Sequence, residues 1–261
     1  MSYKDMIIAL DIDGTLAKDD AYPSEYTCLK IHELIEKGYQ IVLVTGRGYI
    51  SGTEVYKMCN LSNFCVLYNG GLVINPITQE VLRSVPYPKE LVSDILNNNE
   101  LMNYISDIMV EDLKTVYSMG NKKWRDNQVS GDLNKLLNGK DVYAINTWLE
   151  NHEYQKEVER ILITFKNHKY RYWNHAGEIY STEYTKKEGI EAILKYYNKT
   201  FDDLIFIGDS DNDIELLKVA NISVAMKNAN ENVKKVAKEI TTFTNLEDGA
   251  VKYLLHKLNE E

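Results

Sequence analysis

Polar clusters follow four of the apolar runs in this chain, and each cluster begins where its run ends. The runs are unbroken rather than alternating, which is typical of parallel strands that are buried on both faces. They fall at residues 6–10, 40–44, 64–68, 204–207 and 222–226. Helical patterns occur near 25–37, 187–197, 214–219 and 231–238. This alternation predicts an α/β fold, a doubly wound parallel sheet of the Rossmann-like kind.

The strand-and-helix rhythm holds over residues 1–82 and 182–261 but not over 83–181. The middle segment shows short strand patterns near 107–110, 115–119, 140–145, 170–174 and 178–181, with helical stretches near 89–97 and after 152. The chain from Thr45 to Lys186 is much longer than the roughly 40 residues that one strand and its helix need. The surplus is domain-sized. We therefore predict a core made of 1–82 and 182–261, with an inserted α+β cap domain at 83–181.

Composition narrows the class of protein. Hydrophobic residues make up 44% and charged residues 26% of the 261 positions, an ordinary globular balance. The net charge of −9, without a basic run, disfavours binding to nucleic acid. No stretch is long enough for a transmembrane helix, and the first apolar run is too short for a signal peptide. We expect no membrane partner, and a monomer or weak homo-oligomer.

The three cysteines are Cys28, Cys59 and Cys65. An odd number without paired spacing argues against a disulfide framework and for a reducing compartment. We therefore expect a cytoplasmic protein.

The polar clusters at 11–16, 45–47, 69–71 and 208–213 all fall at carboxyl ends of predicted strands. Open α/β sheets bind their ligands at that edge. Several carboxylates in one place repel one another unless a cation neutralises them. Oxygen ligands suit Mg²⁺, which pairs readily with phosphate. The sequence thus predicts a Mg²⁺ site for a small phosphorylated molecule, and its candidate metal residues are Asp11, Asp13, Asp209 and Asp213.

A carboxylate nucleophile fits such a site, because attack of an aspartate on phosphorus gives an aspartyl-phosphate. Asp11 is the candidate nucleophile. Asp13 is placed to protonate the leaving oxygen and later to deprotonate the attacking water, a role that contributes a factor of about 10²–10⁴. Thr45 offers a hydroxyl and backbone N–H groups to the phosphate oxygens. Lys186 supplies the local cation that an acidic chain needs to bind phosphate.

These motifs together resemble those of the haloacid dehalogenase superfamily phosphatases, specifically the Cof-type subgroup (class IIB), which carries a large C2 cap after the second motif. Residues 11–16 match the first motif, DxDGTL, and 45–47 the second. Asn69-Gly70 matches the subgroup's NG, 186–190 its third motif and 208–213 its fourth, GDxxND. Residues 224–226, 228–229 and 247–249 resemble its C-terminal pattern. The match spans the whole predicted core, with departures at Ala17 and Lys227.

The resemblance implies specific contacts. The carboxylates of Asp11 and Asp209 and the backbone carbonyl of Asp13 would hold Mg²⁺, supported by Asp213. Lys186 would bridge the nucleophile and the phosphate, and the spacing to Gly189 favours it over its neighbour Lys187. The residues expected at the phosphate are Asp11, Thr45, Gly46, Arg47, Lys186 and Asn212.

The leading hypothesis is a phosphohydrolase for small phosphorylated metabolites, with sugar phosphates as the expected class. In the cap, Arg125 and His175 are the first candidates for substrate contacts. A phosphomutase would use the same intermediate but return the phosphoryl group to a sugar. A receiver-type signalling domain also combines acidic residues, Mg²⁺, a threonine and a lysine. A nucleotide-binding module would rest on the glycine loop at 46–52, whose last glycine is one position late.

Overall fold

The structure is a computed structural model, and it describes residues 2–17, 22–120, 123, 126–173 and 176–260. The predicted cap contacts Arg125 and His175 lie outside these residues. The chain divides into two compact units. Unit 1 comprises Met1–Arg47, Ser51–Ser84 and Tyr184–Glu261, and unit 2 comprises Gly48–Ile50 and Val85–Glu183.

Unit 1 contains an eight-stranded sheet in the order β14-β13-β12-β1-β2-β3-β4-β5. The pairs from β14 to β3 are parallel, while β3–β4 and β4–β5 are antiparallel. The strands are β1 Ile7–Leu10, β2 Gln40–Val44, β3 Cys65–Leu67, β4 Leu72–Ile74, β5 Val81–Ser84, β12 Leu204–Gly208, β13 Ile222–Ala225 and β14 Glu239–Ile240. Strands β1, β3 and β12 are buried along their whole length, as unbroken apolar runs predict.

Helices accompany the strands of this sheet. They are α1 Glu25–Glu36, α2 Tyr49–Met58, α6 Lys186–Tyr196, α7 Ile214–Val219, α8 Glu231–Val236 and α9 Gly249–Leu258. Helix α1 begins after Ser24, whose side chain accepts a hydrogen bond from the N–H of Thr27. Helix α6 begins with a capping box in which Thr185 and Glu188 satisfy each other's backbone N–H groups. Such caps define where the chain turns from a loop into a helix.

Unit 2 contains a six-stranded sheet in the order β10-β11-β9-β6-β7-β8. All its pairs are antiparallel except β7–β8. Its elements are α3 Lys89–Leu96, β6 Ile105–Glu111, β7 Val116–Ser118, β8 Gln128–Ser130, α4 Leu133–Leu137, β9 Ala144–Leu149, α5 Gln155–Leu162, β10 His168–Trp173 and β11 Ala176–Ser181. The unit has its own core, in which Ile108, Ile145 and Val158 are among the buried members.

The predicted fold class is confirmed, and all five apolar runs form strands of the unit 1 sheet. The strand predicted at 140–145 is misplaced, because β9 begins only at Ala144. Val142 and Tyr143 are buried in the preceding loop, where their backbone groups bond to Tyr87 and Glu111. Burial without strand pairing produces the same apolar pattern as a strand.

The prediction that the cysteines form no disulfide is wrong. Cys28 in α1 and Cys59, directly after α2, are joined by a disulfide, while Cys65 is a buried free thiol. The two partners lie 31 positions apart, and only the packing of their helices brings them together. In the described part of the chain, no helix combines the length and apolar character that crossing a membrane requires.

Candidate active site

Neighbouring parallel strands deliver the acidic residues to one edge of the unit 1 sheet. Strands β1 and β12 pair with Leu10 opposite Ile207, so Asp11 and Asp209 both lie just beyond the paired ends. The N–H of Asp11 donates to the carbonyl of Ile207 at 3.1 Å and continues the ladder by one bond. On the other side of β1, Leu10 pairs with Leu43 of β2, and Thr45 follows that strand. The order of strands therefore brings three motifs to the same edge.

Lys186 lies at the centre of a buried charge cluster. Its Nζ is 2.6 Å from Oδ1 of Asp11 and 2.7 Å from Oδ1 of Asp213, and its side chain is 1% exposed. An ammonium group tolerates such burial only when it is paired. Lys187, by contrast, is half-buried. The lysine that the spacing to Gly189 favoured is therefore the one that contacts Asp11.

Two glycines allow the backbones of α6 and of the loop after β1 to lie close to the cluster. A methyl group at Gly189 would overlap a side-chain methyl of Val66, so the absence of a Cβ lets α6 pack directly on β3. Gly14 has a φ of +76°, and a methyl group there would overlap Oδ2 of Asp209. Glycine is needed at Gly14 both for its left-handed conformation and for the room that the carboxylate takes.

Asp213 holds the loop that follows β12. One carboxylate oxygen, Oδ2, accepts the N–H groups of Asp209 and Ser210 at 2.9 and 3.0 Å. The other oxygen accepts Lys186. The side chain is completely buried. Asp213 thus connects the lysine to the backbone that carries Asp209.

The acidic residues of the cluster fit a divalent cation. Carboxylate oxygens of Asp11, Asp209 and Asp213 lie within 4.8 Å of one another. Among the residues that the structure describes, Oδ2 of Asp11 is buried and has no hydrogen-bond partner. A buried polar atom without a partner is costly unless something outside the protein satisfies it. The oxygen-only ligand set suits Mg²⁺.

The pKa shifts of the residues in this cluster also favour a bound cation. Burial, reinforced by the nearby Asp213 and Asp209, raises the pKa of Asp11 well above its usual range despite the attraction of Lys186. Burial and the Asp213 carboxylate raise the pKa of Asp209 to about 7. Burial opposes the charge of Lys186, but the carboxylates of Asp11 and Asp213 outweigh it and raise the pKa of the lysine above its usual value. One ammonium does not balance three carboxylates, and a bound divalent cation would.

The carboxylate of Asp13 lies outside this cluster. It is 42% exposed and forms an ion pair with Arg47, whose Nη2 is 2.6 Å from Oδ1. The predicted metal contact of Asp13, through its backbone carbonyl, stays a prediction. Thr45 is fully buried, and its Oγ1 accepts the N–H of Arg47 at 3.0 Å, which leaves the hydroxyl proton to be donated elsewhere.

Asn212 is held by a residue to which the sequence analysis gave no role. Its Nδ2 donates to Oδ1 of Asn69 at 2.8 Å, and its Oδ1 accepts the hydroxyl of Ser210 at 2.7 Å. Asn69 and the preceding Tyr68 both have positive φ angles, 53° and 50°. Two successive left-handed residues that are not glycine are unusual and mark a constrained turn. The Asn-Gly pair after the third run was the available signal.

A Rossmann-like sheet with a lysine-bridged aspartate cluster at its carboxyl edge places the chain among the open α/β proteins that bind ligands at that edge. Comparison with known proteins is more specific. The family model for haloacid dehalogenase-like hydrolases matches residues 8–254. The chain therefore belongs to the haloacid dehalogenase-like hydrolase family.

Known relatives and solved structures match this chain over nearly its whole length. The chain is 31% identical to a 5-amino-6-(5-phospho-D-ribitylamino)uracil phosphatase of Bacillus subtilis, YitU, over 97% of this chain and 98% of that protein. It is 27% identical to a second phosphatase of that name, YcsE, from the same organism, over 96% and 94%. A haloacid dehalogenase-like hydrolase from Bacteroides thetaiotaomicron shares the fold with a TM-score of 0.85 at 23% identity, over 97% and 99%. The resemblance predicted from the motifs is confirmed, and so is the prediction of an enzyme of the phosphatase class.

Proposed function

We propose that this chain is a Mg²⁺-dependent phosphohydrolase that acts on small phosphorylated metabolites, sugar phosphates in particular, through an aspartyl-phosphate on Asp11. One observation carries the proposal: Asp11 is held by Lys186 through one carboxylate oxygen, while the other, within the described residues, has no hydrogen-bond partner. A positioned carboxylate beside a cation and two further acids suits attack on phosphorus.

The residues divide the chemistry between them. An oxygen of Asp11 attacks phosphorus, and the bond from phosphorus to the leaving oxygen breaks as Asp13 gives that oxygen a proton. Asp13 then takes a proton from water, the water oxygen attacks phosphorus, and the bond to Asp11 breaks. Lys186 and the groups of Thr45, Gly46 and Asn212 would bind the phosphate oxygens. The proton that Asp13 gives to the leaving oxygen is replaced by the proton that it takes from water, so Asp13 ends the cycle in the form in which it began.

The carboxylates of Asp11 and Asp209, supported by Asp213 and the backbone carbonyl of Asp13, would hold the metal. When bound, Mg²⁺ would neutralise the phosphate so that an anionic carboxylate can approach it. Lys186 would supply a positive charge that persists through the reaction, because its raised pKa keeps it protonated.

The substrate class rests on the names of two relatives. The relatives YitU and YcsE are named as phosphatases of a pyrimidine that carries a phosphorylated ribityl chain, and such a chain is a polyol phosphate. We propose that unit 2 serves as the cap that selects the leaving group, since a separate inserted domain can exclude water and vary independently of the chemistry.

A screen of phosphorylated metabolites with Mg²⁺ tests the proposal. We expect steady release of phosphate, abolished by EDTA, with the highest kcat/KM for sugar or polyol phosphates, the phosphoribityl pyrimidine among them. A generic aryl phosphate provides the baseline. A single round of labelling without turnover would indicate a receiver, transfer of phosphate to a sugar would indicate a mutase, and no reaction would indicate a binding module. Any of these three outcomes would overturn the proposed function.

A further inference from the structure

The ion pair between Arg47 and Asp13 has a fixed, forked geometry. Nε of Arg47 lies 3.2 Å from Oδ1 and 3.0 Å from Oδ2 of Asp13, and Nη2 lies 2.6 Å from Oδ1. The guanidinium therefore contacts both oxygens of the carboxylate through two of its nitrogens. Arginine and carboxylate groups that meet in this way hold each other in orientation as well as in position.

Both partners are anchored through their backbones. The N–H of Arg47 donates to Oγ1 of Thr45 at 3.0 Å, and its carbonyl accepts the N–H of Tyr68 at 3.0 Å. On the other side, the turn that carries Asp13 is closed by a bond from the N–H of Gly14 to the carbonyl of Ala17 at 3.2 Å. The Arg47 side chain is only 12% exposed. The guanidinium thus extends from one fixed loop to a carboxylate on another.

From this geometry, we propose that Arg47 is a positioning residue that fixes the carboxylate of Asp13 for proton transfer to the leaving oxygen. The inference rests on the proposed function, because it needs Asp13 as the acid and base. An arginine side chain keeps its own protons, so it cannot replace Asp13 in the transfer. It can hold the carboxyl group so that one oxygen faces the reacting oxygen, with the proton that this oxygen carries in the acid form and gives up to the leaving group. The sequence-based expectation that Arg47 binds phosphate is a different role, and the two roles predict different kinetics.

Two aryl phosphates of similar shape separate these roles. The nitrophenolate of para-nitrophenyl phosphate leaves readily without a proton, whereas the more basic phenolate of phenyl phosphate depends on the acid. For the Arg47→Met variant, which keeps an unbranched stem, we expect kcat/KM for phenyl phosphate to fall at least about tenfold further than kcat/KM for para-nitrophenyl phosphate. The quantity kcat/KM is chosen because it covers the steps up to departure of the leaving group.

Three further variants complete the test. Arg47→Lys retains the charge but not the fork, and we expect it to restore part of the selective loss. In an Asp13→Asn background, Arg47→Met should add no further selectivity between the substrates. Arg83→Met is the matched control, because the Arg83 guanidinium bonds to the carbonyl of Gly70 rather than to Asp13. It should change both values of kcat/KM by the same factor.

Several outcomes would overturn the inference. An equal fall for both substrates in Arg47→Met would assign Arg47 to phosphate binding or to structure, and unchanged kinetics would remove it from the reaction. Selectivity that persists in the Asp13→Asn background would also contradict it. Failure of the proposed function is separate and visible beforehand, since it would appear as wild-type protein that turns over neither substrate with Mg²⁺, and the inference would fall with it.

Discussion

Each of the two units buries an aspartate side chain, and the two side chains differ in how their carboxylate oxygens are hydrogen-bonded. Asp11 of unit 1 is 3% exposed and Asp107 of unit 2 is 5% exposed. Both oxygens of Asp107 have partners: the hydroxyl of Ser118 lies 2.9 and 2.8 Å from them, and the N–H of Gly120 donates to Oδ1 at 2.7 Å. Asp11 has Lys186 on one oxygen, whereas the other, within the described residues, is without a partner.

The difference separates a structural carboxylate from a reactive one. A buried carboxylate whose two oxygens both have partners ties elements together, here β6 to β7 and the residues after it, and needs no ligand to satisfy it. A buried carboxylate oxygen without a partner costs free energy, and a ligand that bonds to it removes that cost. The same residue type at similar burial is therefore expected to affect stability in unit 2 and turnover in unit 1.

The largest effect is expected from Asp11→Asn. The amide cannot attack phosphorus, so kcat should fall by at least about 10⁴-fold. The protein should remain folded, because Lys186 keeps its contact with Asp213. Phosphate release under metal-saturated conditions and circular dichroism measure the two properties. Near-wild-type turnover in this variant would show that Asp11 is not the nucleophile and would erase the contrast with Asp107.

The next largest effect is expected from Asp13→Asn. Loss of the acid and base should lower kcat by a factor of about 10²–10⁴. The Asp13 side chain is 42% exposed, and asparagine keeps an oxygen that can accept a hydrogen bond from Arg47, so thermal stability should change little. Steady-state kinetics with Mg²⁺ check the first expectation and a melting curve the second. Unchanged kinetics would place proton transfer on another group.

In the metal-free protein, the free energy of unfolding should depend on pH through the protonation of Asp209. Its pKa is raised from 3.8 to about 7 in the folded protein, so between these values the folded state binds the proton more tightly than the unfolded state. The stability of the metal-free protein is therefore reduced as pH rises through this window. Asp209→Asn lacks this titration. At about pH 8 in EDTA we expect its free energy of unfolding to exceed that of wild type by about 2 kcal/mol, after allowance for partial exposure.

Urea unfolding in EDTA at several pH values measures this difference, which should vanish toward about pH 4. Added Mg²⁺ should stabilise wild type more at about pH 8 than at about pH 5 and should stabilise Asp209→Asn far less. The exposed Asp202→Asn is a matched control that should behave as wild type. A pH-independent gap between wild type and Asp209→Asn would contradict the raised pKa.

The other half of the comparison is tested by Asp107→Ala, which is expected to affect stability rather than turnover. It leaves the N–H of Gly120 and the hydroxyl of Ser118 without their acceptor, and should lower the free energy of unfolding by about 1–3 kcal/mol. Asp107→Asn, which keeps an acceptor oxygen, should lose less. Denaturant unfolding measures both. Equal midpoints for wild type and Asp107→Ala would mean that the carboxylate does not stabilise unit 2.

The strand-end residues of the site could be predicted because each motif is short and local. An apolar run followed by Asp11, by Thr45 or by Asp209 depends only on residues next to one another in the chain, and parallel strands deliver such endings to one edge. The spacing from Lys186 to Gly189 favoured the lysine that contacts Asp11 for a similarly local reason, since a helix start needs its cap and close packing needs its glycine. The order of the clusters along the chain thus determined the fold class and the family.

The tertiary structure alone decided which groups pair across long separations. The fork between Arg47 and Asp13, the bond between Asn212 and Asn69, and the disulfide of Cys28 with Cys59 join residues that are not neighbours in the chain. The tertiary structure also decided that both carboxylate oxygens of Asp107 have partners while one oxygen of Asp11, within the described residues, has none. The residues next to each aspartate in the chain give no sign of this difference. Hydrogen bonds depend on distances of a few tenths of an ångström. The packing of helices and the pairing of strands set those distances, and no local pattern in the chain encodes them.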